Sequence, residues 1–544
     1  MKKIYLFAAM GLMSLAAQAQ ETKATGDAYM AGQLATEDLN GTARYVGMGG
    51  AMDALGADLS VMSTNPAGIG LFRKSQVATS FGLNGQVDGK TFADGSKTNA
   101  SFDQIGFVYS SQTGRQSWIN IGFNFHKSRN FDYVLSAANR LSTVNADGSR
   151  NYLGSQNMQT AYKAINGTFD RNYLTESQLD YLYMNNLNLS KEKEVCDYGF
   201  DYYEFDRAHT GYIGEYNLNL SGNFNNRFYW GITVGINDVH YNGYSEYLES
   251  MDMDNIDRVA REKSVPKTSD VLISDDLKIT GTGYSVKAGV IVRPFEESAF
   301  RIGAAVSSPT FYKLTTSNNT SIGSGVDTEK ASEDFRFNTP WKFSFSAGHT
   351  IGTKLALGAV YEYSDFAACD MRTIDGYTYD SWSDTEYANS SSDQAMKRLI
   401  EKTLRGVSTL KLGAEIKPVP DLSLRFGYNY VSPVYQSNAV RDQTIPSPGV
   451  YYASSTDYTN WKDTHRFTFG IGTNIDKFRF DLAYQYQTRD GEFFPFMNNY
   501  STSFDAYDAD GNTTGNIVTL TNSCDPVKVK DRRHQVICTL SYTF

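Results

Sequence analysis

Four groupings of residues in this chain of 544 could do chemistry, and each is tested by its spacing. The run Gly47-Met48-Gly49-Gly50 offers backbone N–H groups to a phosphate, yet no strand-like run precedes it and no Lys-Ser/Thr pair or spaced third glycine follows. Asp505, Asp508, Asp510 and Asn512 alternate like the oxygen ligands of a calcium loop, but the glycine falls at Gly511 rather than after the third ligand and no glutamate closes the loop. The histidines His126, His209, His240, His349, His465 and His534 lie far apart without the paired spacing of a zinc site, so no metal is expected and haem is kept only as an alternative ligand. No Ser-His-Asp or paired-carboxylate arrangement can be placed, because its members would sit on separate strands. The expectation is a protein with no catalytic residues and no cofactor, an enzyme being the remote alternative.

The elements that would have to position any site are strands. The chain holds 37 Tyr, 32 Phe and 46 Gly against 12 Pro, a mixture suited to many twisted strands with aromatic ends. Lys2 and Lys3, the apolar run Ile4 to Leu15 and the small-residue site Ala17-Gln18-Ala19 read as an export leader over residues 1–19, so the mature chain is expected to begin at Gln20. No later stretch supplies the roughly 20 consecutive apolar residues of a membrane helix. A net charge of -10 argues against nucleic acid as a partner. Cys196, Cys369, Cys524 and Cys538 are too scattered for a disulfide scaffold; Cys538 reads as lipid-facing, and a bridge among the other three is left open.

From Ser75 onward, period-two runs alternate with polar stretches. In Trp118 to Phe125, Ile119, Ile121, Phe123 and Phe125 oppose Asn120, Gly122 and Asn124; in Leu422 to Tyr430, Leu422, Leu424, Phe426, Tyr428 and Tyr430 oppose Ser423, Arg425, Gly427 and Asn429. Glu215, Lys287, Arg301, Lys342, Glu362, Lys411, Glu415, Arg425, Arg479 and Asp481 all fall out of phase with the apolar residues of their own runs. A Lys or Arg facing hydrocarbon at the midplane costs about 2 to 4 kcal/mol, so the polar face must be enclosed and the apolar face must meet lipid. About fourteen such runs are expected, near residues 76–84, 102–111, 118–128, 210–222, 228–240, 278–292, 299–311, 336–349, 353–364, 408–417, 421–432, 464–475, 477–488 and 533–544. Their connections alternate short and long, as periplasmic turns and external loops do in a bacterial barrel.

Three long loops carry helix-like patterns, at Gln159 to Asn185, Met251 to Lys263 and Asp393 to Arg405. In the last, Ala395, Met396, Leu399, Ile400 and Leu404 recur at helical spacing, as for packing on a neighbour or for first contact with a greasy ligand. At the C-terminus Val536, Cys538, Leu540, Tyr542 and Phe544 share one face, and the final Phe544 resembles the signal by which the barrel-assembly machinery recognises its clients.

Ahead of the first strand lies Thr42 to Phe72, which does not read as a strand. Gly47, Gly49, Gly50, Gly56, Gly68 and Gly70 permit close packing, Asp53 to Leu59 fits a short helical turn, and Pro66 stiffens the exit. Met48, Met52, Leu55, Leu59 and Met62 give it an apolar surface and are candidate ligand contacts. Such a segment before a wide barrel is expected to plug the lumen.

This stretch resembles the FadL family of outer-membrane transporters, which includes TodX-type carriers of aromatic hydrocarbons. The resemblance lies in the glycine-rich start with Gly47, Gly49 and Gly50, the acidic turn with Asp58, and then Asn65-Pro66-Ala67, the family's hatch signature. It implies a monomeric all-β, fourteen-stranded barrel integral to the bacterial outer membrane, with an N-terminal hatch over residues 20–74 and the barrel over 75–544. It also implies passive uptake of hydrophobic compounds such as long-chain fatty acids or aromatic hydrocarbons, its partners being that ligand and outer-membrane lipid. The long polar stretch Gln20 to Gly41 and the large loop from Arg129 to Arg207 depart from the pattern, so an alternative is a family relative that shuttles secreted protein cargo.

Overall fold

The computed structural model describes residues 26–165, 176–186, 199–250, 270–323, 326–327, 331–382, 384–452, 455–507 and 513–544. The leader over residues 1–19, Cys196, the helical pattern at 251–263 and most of the calcium-like loop at 508–512 lie outside the described residues.

Fourteen antiparallel strands form the wall: β1 (Gln76–Gln86), β2 (Thr98–Gly114), β3 (Ser117–Asn130), β4 (Tyr202–Phe224), β5 (Phe228–Ser250), β6 (Asp270–Val292), β7 (Arg301–Ser307), β8 (Lys342–Ile351), β9 (Leu355–Asp365), β10 (Gly406–Val419), β11 (Leu422–Val431), β12 (Tyr458–Ile475), β13 (Phe478–Phe494) and β14 (Val527–Thr543). Each pairs with the next, and β14 pairs with β1 from Thr543↔Gln76 to Arg533↔Gln86, which closes the cylinder. Closure leaves no edge whose N–H and C=O groups would face hydrocarbon unpaired. No helix among the described residues is long and apolar enough to cross a membrane.

Alternation decides the faces. Phe123, Leu218, Val234 and Val286 lie opposite one another across four neighbouring strands; the last three are exposed, while the next residues inward, Asn124, Asn217, Thr233 and Ser285, are buried. Aromatics edge this outer band. Phe224, Phe228, Phe478, Tyr542 and Phe544 gather at the end with the short turns, and Tyr216, Tyr284, Tyr361 and Tyr484 lie toward the other end. β4, β5 and β6 are 23 residues each, and past Ile236 the outward side of β5 becomes polar with Asp238, His240 and Asn242. Their outer halves therefore stand clear of the lipid band. Cys538 is exposed on the apolar side of β14, while Cys369 and Cys524 are buried and unbridged.

Several strands extend further than expected, such as Tyr202–Phe224, Phe228–Ser250 and Val527–Thr543, and two expected strands are interrupted. The runs 299–311 and 336–349 each break, at Ser308–Thr310 and Thr339–Trp341, and β9 breaks at the same level into the short turn Phe366–Ala368. Pro309 and Pro340 cause the first two breaks, because proline brings no N–H to the ladder. Hydroxyls replace part of the missing pairing: Thr310 N donates to Thr339 Oγ1 at 2.8 Å and Val286 N to Ser308 Oγ at 2.9 Å. Beyond the breaks the chain resumes as outer strands Phe311–Ile322 and Ala331–Asn338.

The loops fold over the outer mouth. The pattern expected at 159–185 forms as two helices, Gln156–Ile165 and Gln178–Asn186. The pattern at 393–405 forms as Gln394–Thr403, capped by Asp393, whose carboxylate accepts from Ala395 N and Met396 N. Met396, Leu399 and Ile400 are buried with Phe366, Leu404 and Tyr435, so this apolar stripe is occupied by packing.

Placing a cation in the middle of the lipid band tests the orientation of the faces. Leu218→Arg is expected to cost about 2 to 4 kcal/mol of barrel stability, and Asn242→Arg on the outer half about 0 to 1 kcal/mol. Urea titration of the protein in lipid vesicles measures both; equal costs would contradict the assigned band.

Candidate functional site

The segment that leads into β1 fills the bore. Helix α1 (Ala28–Ala35), capped by Asp27, lies beneath the outer loops with Tyr29 stacked on Tyr435 at 4.8 Å. The chain then descends through Thr36–Gly41 to helix α2 (Ala43–Gly47) and two 3-10 turns, Leu59–Ser63 and Pro66–Leu71. The acidic turn expected over Asp53–Leu59 forms as a hydrogen-bonded turn at 53–55, and a separate 3-10 turn starts after Asp58. Asp58 is its cap: its carboxylate accepts from Ser60 N at 3.0 Å and from Thr42 Oγ1 at 2.8 Å, while Thr42 Oγ1 accepts from Tyr45 N. One carboxylate thus ties two helix starts together.

Asn65-Pro66-Ala67 is a second cap. Asn65 Oδ1 accepts from Ala67 N at 3.1 Å, and Pro66 occupies the first helical position, where a missing N–H costs nothing. Asn65 Nδ2 is buried with no partner among the described residues.

Why the segment fits is written on the wall. Gly348, Gly358, Gly413 and Gly427 lie directly opposite one another across β8, β9, β10 and β11. A side chain on any of them would run into the stopper: Leu55 and Ala54 at Gly348, Ala51 O at Gly358, Met48 O at Gly413 and Gly49 N at Gly427. Gly231 and Gly289, also directly paired, make the same room for Pro66 and Asn65. Within the segment Gly47 presses on Gly470 of β12, while Gly49 and Gly50 turn the chain with φ of 63° and 78°, a conformation glycine adopts without strain.

The opposite side of the wall is apolar. Ala78, Val108, Ala483 and Ile537 pack on a cluster that contains Met48, Met52, Leu55, Leu59 and Met62. The five candidate ligand contacts are all buried in this cluster, and none lines a cavity found in the bore. Their apolar surface fastens the stopper to the wall.

Polar groups add fixed points. Arg44 Nε reaches Glu415 at 3.3 Å, and Glu415 also accepts from Arg425 Nε at 2.6 Å. Arg479 Nε donates to Asp481 at 2.8 Å, and Arg425 lies in an ion pair with the same carboxylate at 2.8 Å. Arg44 is the stopper's member of a buried group held by β10, β11 and β13. Wall side chains also donate to stopper carbonyls: Thr468 Oγ1 to Gly47 O at 3.1 Å, Asn120 Nδ2 to Ile69 O at 2.8 Å and Arg301 to Leu55 O at 3.2 Å. Burial pushes the Asp53 carboxyl up to about 6, against the hydroxyls of Thr64 and Ser344 that hydrogen-bond it.

Above the stopper three cavities follow one another along the leading segment. The outer one is lined by Tyr29, Tyr241, Tyr435, Tyr458 and Trp461. It shares Gln33, Arg207, His209, Tyr435 and Trp461 with a middle cavity, which shares Thr36, Glu37, Asp38 and Arg466 with an inner one. The inner cavity ends on Leu39, Tyr45, Ser63 and Thr64. Its walls carry paired charges: Glu37 with Lys342 at 2.5 Å, Lys411 with Glu362 at 2.6 Å, and Lys287 with Glu215. The residues singled out in the sequence, Gly47, Gly49, Gly50, Asp58, Asn65, Pro66 and Ala67, therefore form the stopper beneath the cavities. The cavity residues themselves come from strands far apart in the chain. The one sequence signal for the seat was glycine recurring in the enclosed phase, as at Gly122 and Gly427.

No family model and no curated protein matches the chain. Among solved structures it is similar to a Pseudomonas aeruginosa FadL homologue, at 13% identity over 93% of this chain and 99% of that one, with a TM-score of 0.48. The Ralstonia pickettii toluene transporter TbuX is similar at 13% identity and a TM-score of 0.45, and the P. putida toluene transporter TodX at 12% and 0.44, with the same coverage.

Filling the glycine seat should loosen the stopper while the wall still closes. Gly413→Leu is expected to raise small-solute permeability in a liposome swelling assay several-fold, with the folded barrel verified by heat-modifiable migration. Permeability equal to that of the wild-type protein would show that the seat does not hold the stopper.

Proposed function

We propose that this protein is a passive channel of the bacterial outer membrane that takes up small hydrophobic compounds. In this reading residues 1–19 are removed on export, residues 20–74 form the gate and residues 75–544 form the barrel. The observation that carries it is the series of three cavities beside the leading segment, bordered by an apolar, aromatic-rich cluster and stopped below by Leu39, Tyr45, Ser63 and Thr64.

The physical reason for such a path is the ligand's poor solubility in water and the slow crossing of a lipopolysaccharide leaflet; a sheltered route lowers the barrier without chemistry. Long-chain fatty acids and aromatic hydrocarbons are the proposed ligand classes. The cavity walls alternate rings with paired charges, which suits molecules that combine an apolar body with a polar group more than a plain alkane. Ser63 and Thr64 on the cavity floor adjoin Asn65, so a shift of this turn is the smallest movement that extends the path downward.

Asn65→Ala combined with Pro66→Ala removes the cap that fixes this turn. Uptake of labelled oleate and of toluene into proteoliposomes is expected to change at least threefold, with the barrel still heat-modifiable. Uptake at the wild-type rate for both would argue that the turn is no gate.

A further inference from the structure

The middle cavity gathers five arginines from five strands or their extensions: Arg129 from β3, Arg207 from β4, Arg466 from β12, Arg489 from β13 and Arg533 from β14. Three carboxylates answer them. Asp38 bonds Arg129 at 2.8 Å and approaches Arg466 at 3.6 Å, Asp531 bonds Arg489 at 2.8 Å and Arg533 at 2.7 Å, and Asp457 bonds Arg207. Glu37, which also lines the cavity, is engaged by Lys342, and Lys462 at the rim by Glu492. The group keeps an excess of positive charge in a site largely screened from water, where an unanswered charge is costly.

The rings beside these arginines are as specific as the charges. Arg489 lies 4.2 Å from the centre of the Trp461 ring, Arg533 5.3 Å from Tyr133 and Arg129 5.9 Å from Phe131. Tyr133 and Trp461 meet edge to face at 5.8 Å. A guanidinium stacked on a ring presents its N–H edge sideways, the edge that recognises a carboxylate. Donors are open as well. Arg129 Nε, Arg207 Nε and the hydroxyl of Tyr133, a residue only 6% exposed, are buried with no partner among the described residues.

We propose that the middle cavity is a binding station for aromatic carboxylates, the arginines holding the carboxylate and Phe131, Tyr133, Tyr435 and Trp461 the ring. This deepens the uptake reading and rests on it: the station lies between the outer and inner cavities, so a solute following the path meets it. A ligand carboxylate supplies the charge that the wall lacks, and flat rings fit between flat rings with offset or edge contacts. An aliphatic acid satisfies the charge without using the aromatic surface, and a neutral arene does the reverse.

The test uses the full-length protein in detergent with 2-naphthoate, 2-naphthamide and decanoate, followed by isothermal calorimetry at two salt concentrations. Naphthoate is expected to bind at least ten-fold more tightly than either of the others, and more weakly at the higher salt. Arg489→Gln and Arg533→Gln, made separately so that Asp531 keeps one partner in each, are expected to weaken naphthoate at least five-fold and leave naphthamide unchanged. Equal binding of naphthoate and naphthamide, or unaltered naphthoate binding in both folded variants, overturns the anion site; decanoate binding as tightly as naphthoate overturns the aromatic part. Proteoliposome uptake separates this from the broader reading. Uptake of toluene without naphthoate binding leaves the channel and removes the station, whereas naphthoate binding with no uptake of any probe removes the channel.

Discussion

The contact on which the rest of the structure depends is backbone against backbone, where the stopper lies on a wall stripped of side chains. A cylinder of fourteen strands encloses a bore too wide for wall side chains alone to close. Here the four registered glycines Gly348, Gly358, Gly413 and Gly427 recess one side of that bore, and Met48 to Leu55 settle into the recess. The Leu55 side chain and the end of Met48 also lie against these glycines, while the apolar cluster that the segment forms is closed on its other side by Ala78, Val108, Ala483 and Ile537. A glycine seat on one side and an apolar seat on the other give the segment a single orientation.

Packing alone would leave the enclosed charges unanswered, and the way they are answered determines what the stopper does. An unpaired arginine inside the bore costs several kcal/mol, so Arg425 and Arg479 need the carboxylates of Glu415 and Asp481, and Glu415 accepts Arg44 in turn. Pulling the stopper out would expose this group together with Met48, Met52, Leu59 and Met62, which are at most 1% exposed. That combined cost makes wholesale ejection the expensive route and small rearrangements the cheap one.

The cylinder was legible because lipid imposes a strict code. Every wall strand shows the period-two pattern, and the ten charges assigned to the enclosed face lie there, with Arg425 and Glu215 fully or nearly buried. The strands that ran past their ends did so at Pro309 and Pro340, where alternation continued across a residue with no N–H to give. The stopper was legible from its glycines and from Asn65-Pro66, whose meaning as a helix cap is local. Its apolar residues were harder: nothing in Met48 or Leu59 distinguishes a surface offered to a ligand from one already covered by Ile537. The arginines of the middle cavity were illegible for a topological reason, since Arg129 and Arg533 are 404 positions apart in the chain and meet only because β14 closes on β1.

The same closure explains why the cavities end where they do. α1 and Thr36–Asn40 are held by side chains that also line cavities, such as Tyr435 stacked on Tyr29 and Arg129 on Asp38, so this stretch borders open space along its length. From Thr42 onward the chain is buried almost without interruption until Phe72. Arg44, Ala57, Ser63, Thr64 and Leu71 are half-buried, and of these Ser63 and Thr64 lie on the cavity floor, followed at once by an Asn65 amide that lacks an acceptor among the described residues. A buried donor without a partner forfeits about 1 to 3 kcal/mol, which a rearranged turn would recover. The buried amide without an acceptor in the stopper therefore sits beside the floor of the inner cavity, and a rearrangement of this turn disturbs less of the packing than one anywhere else in the segment.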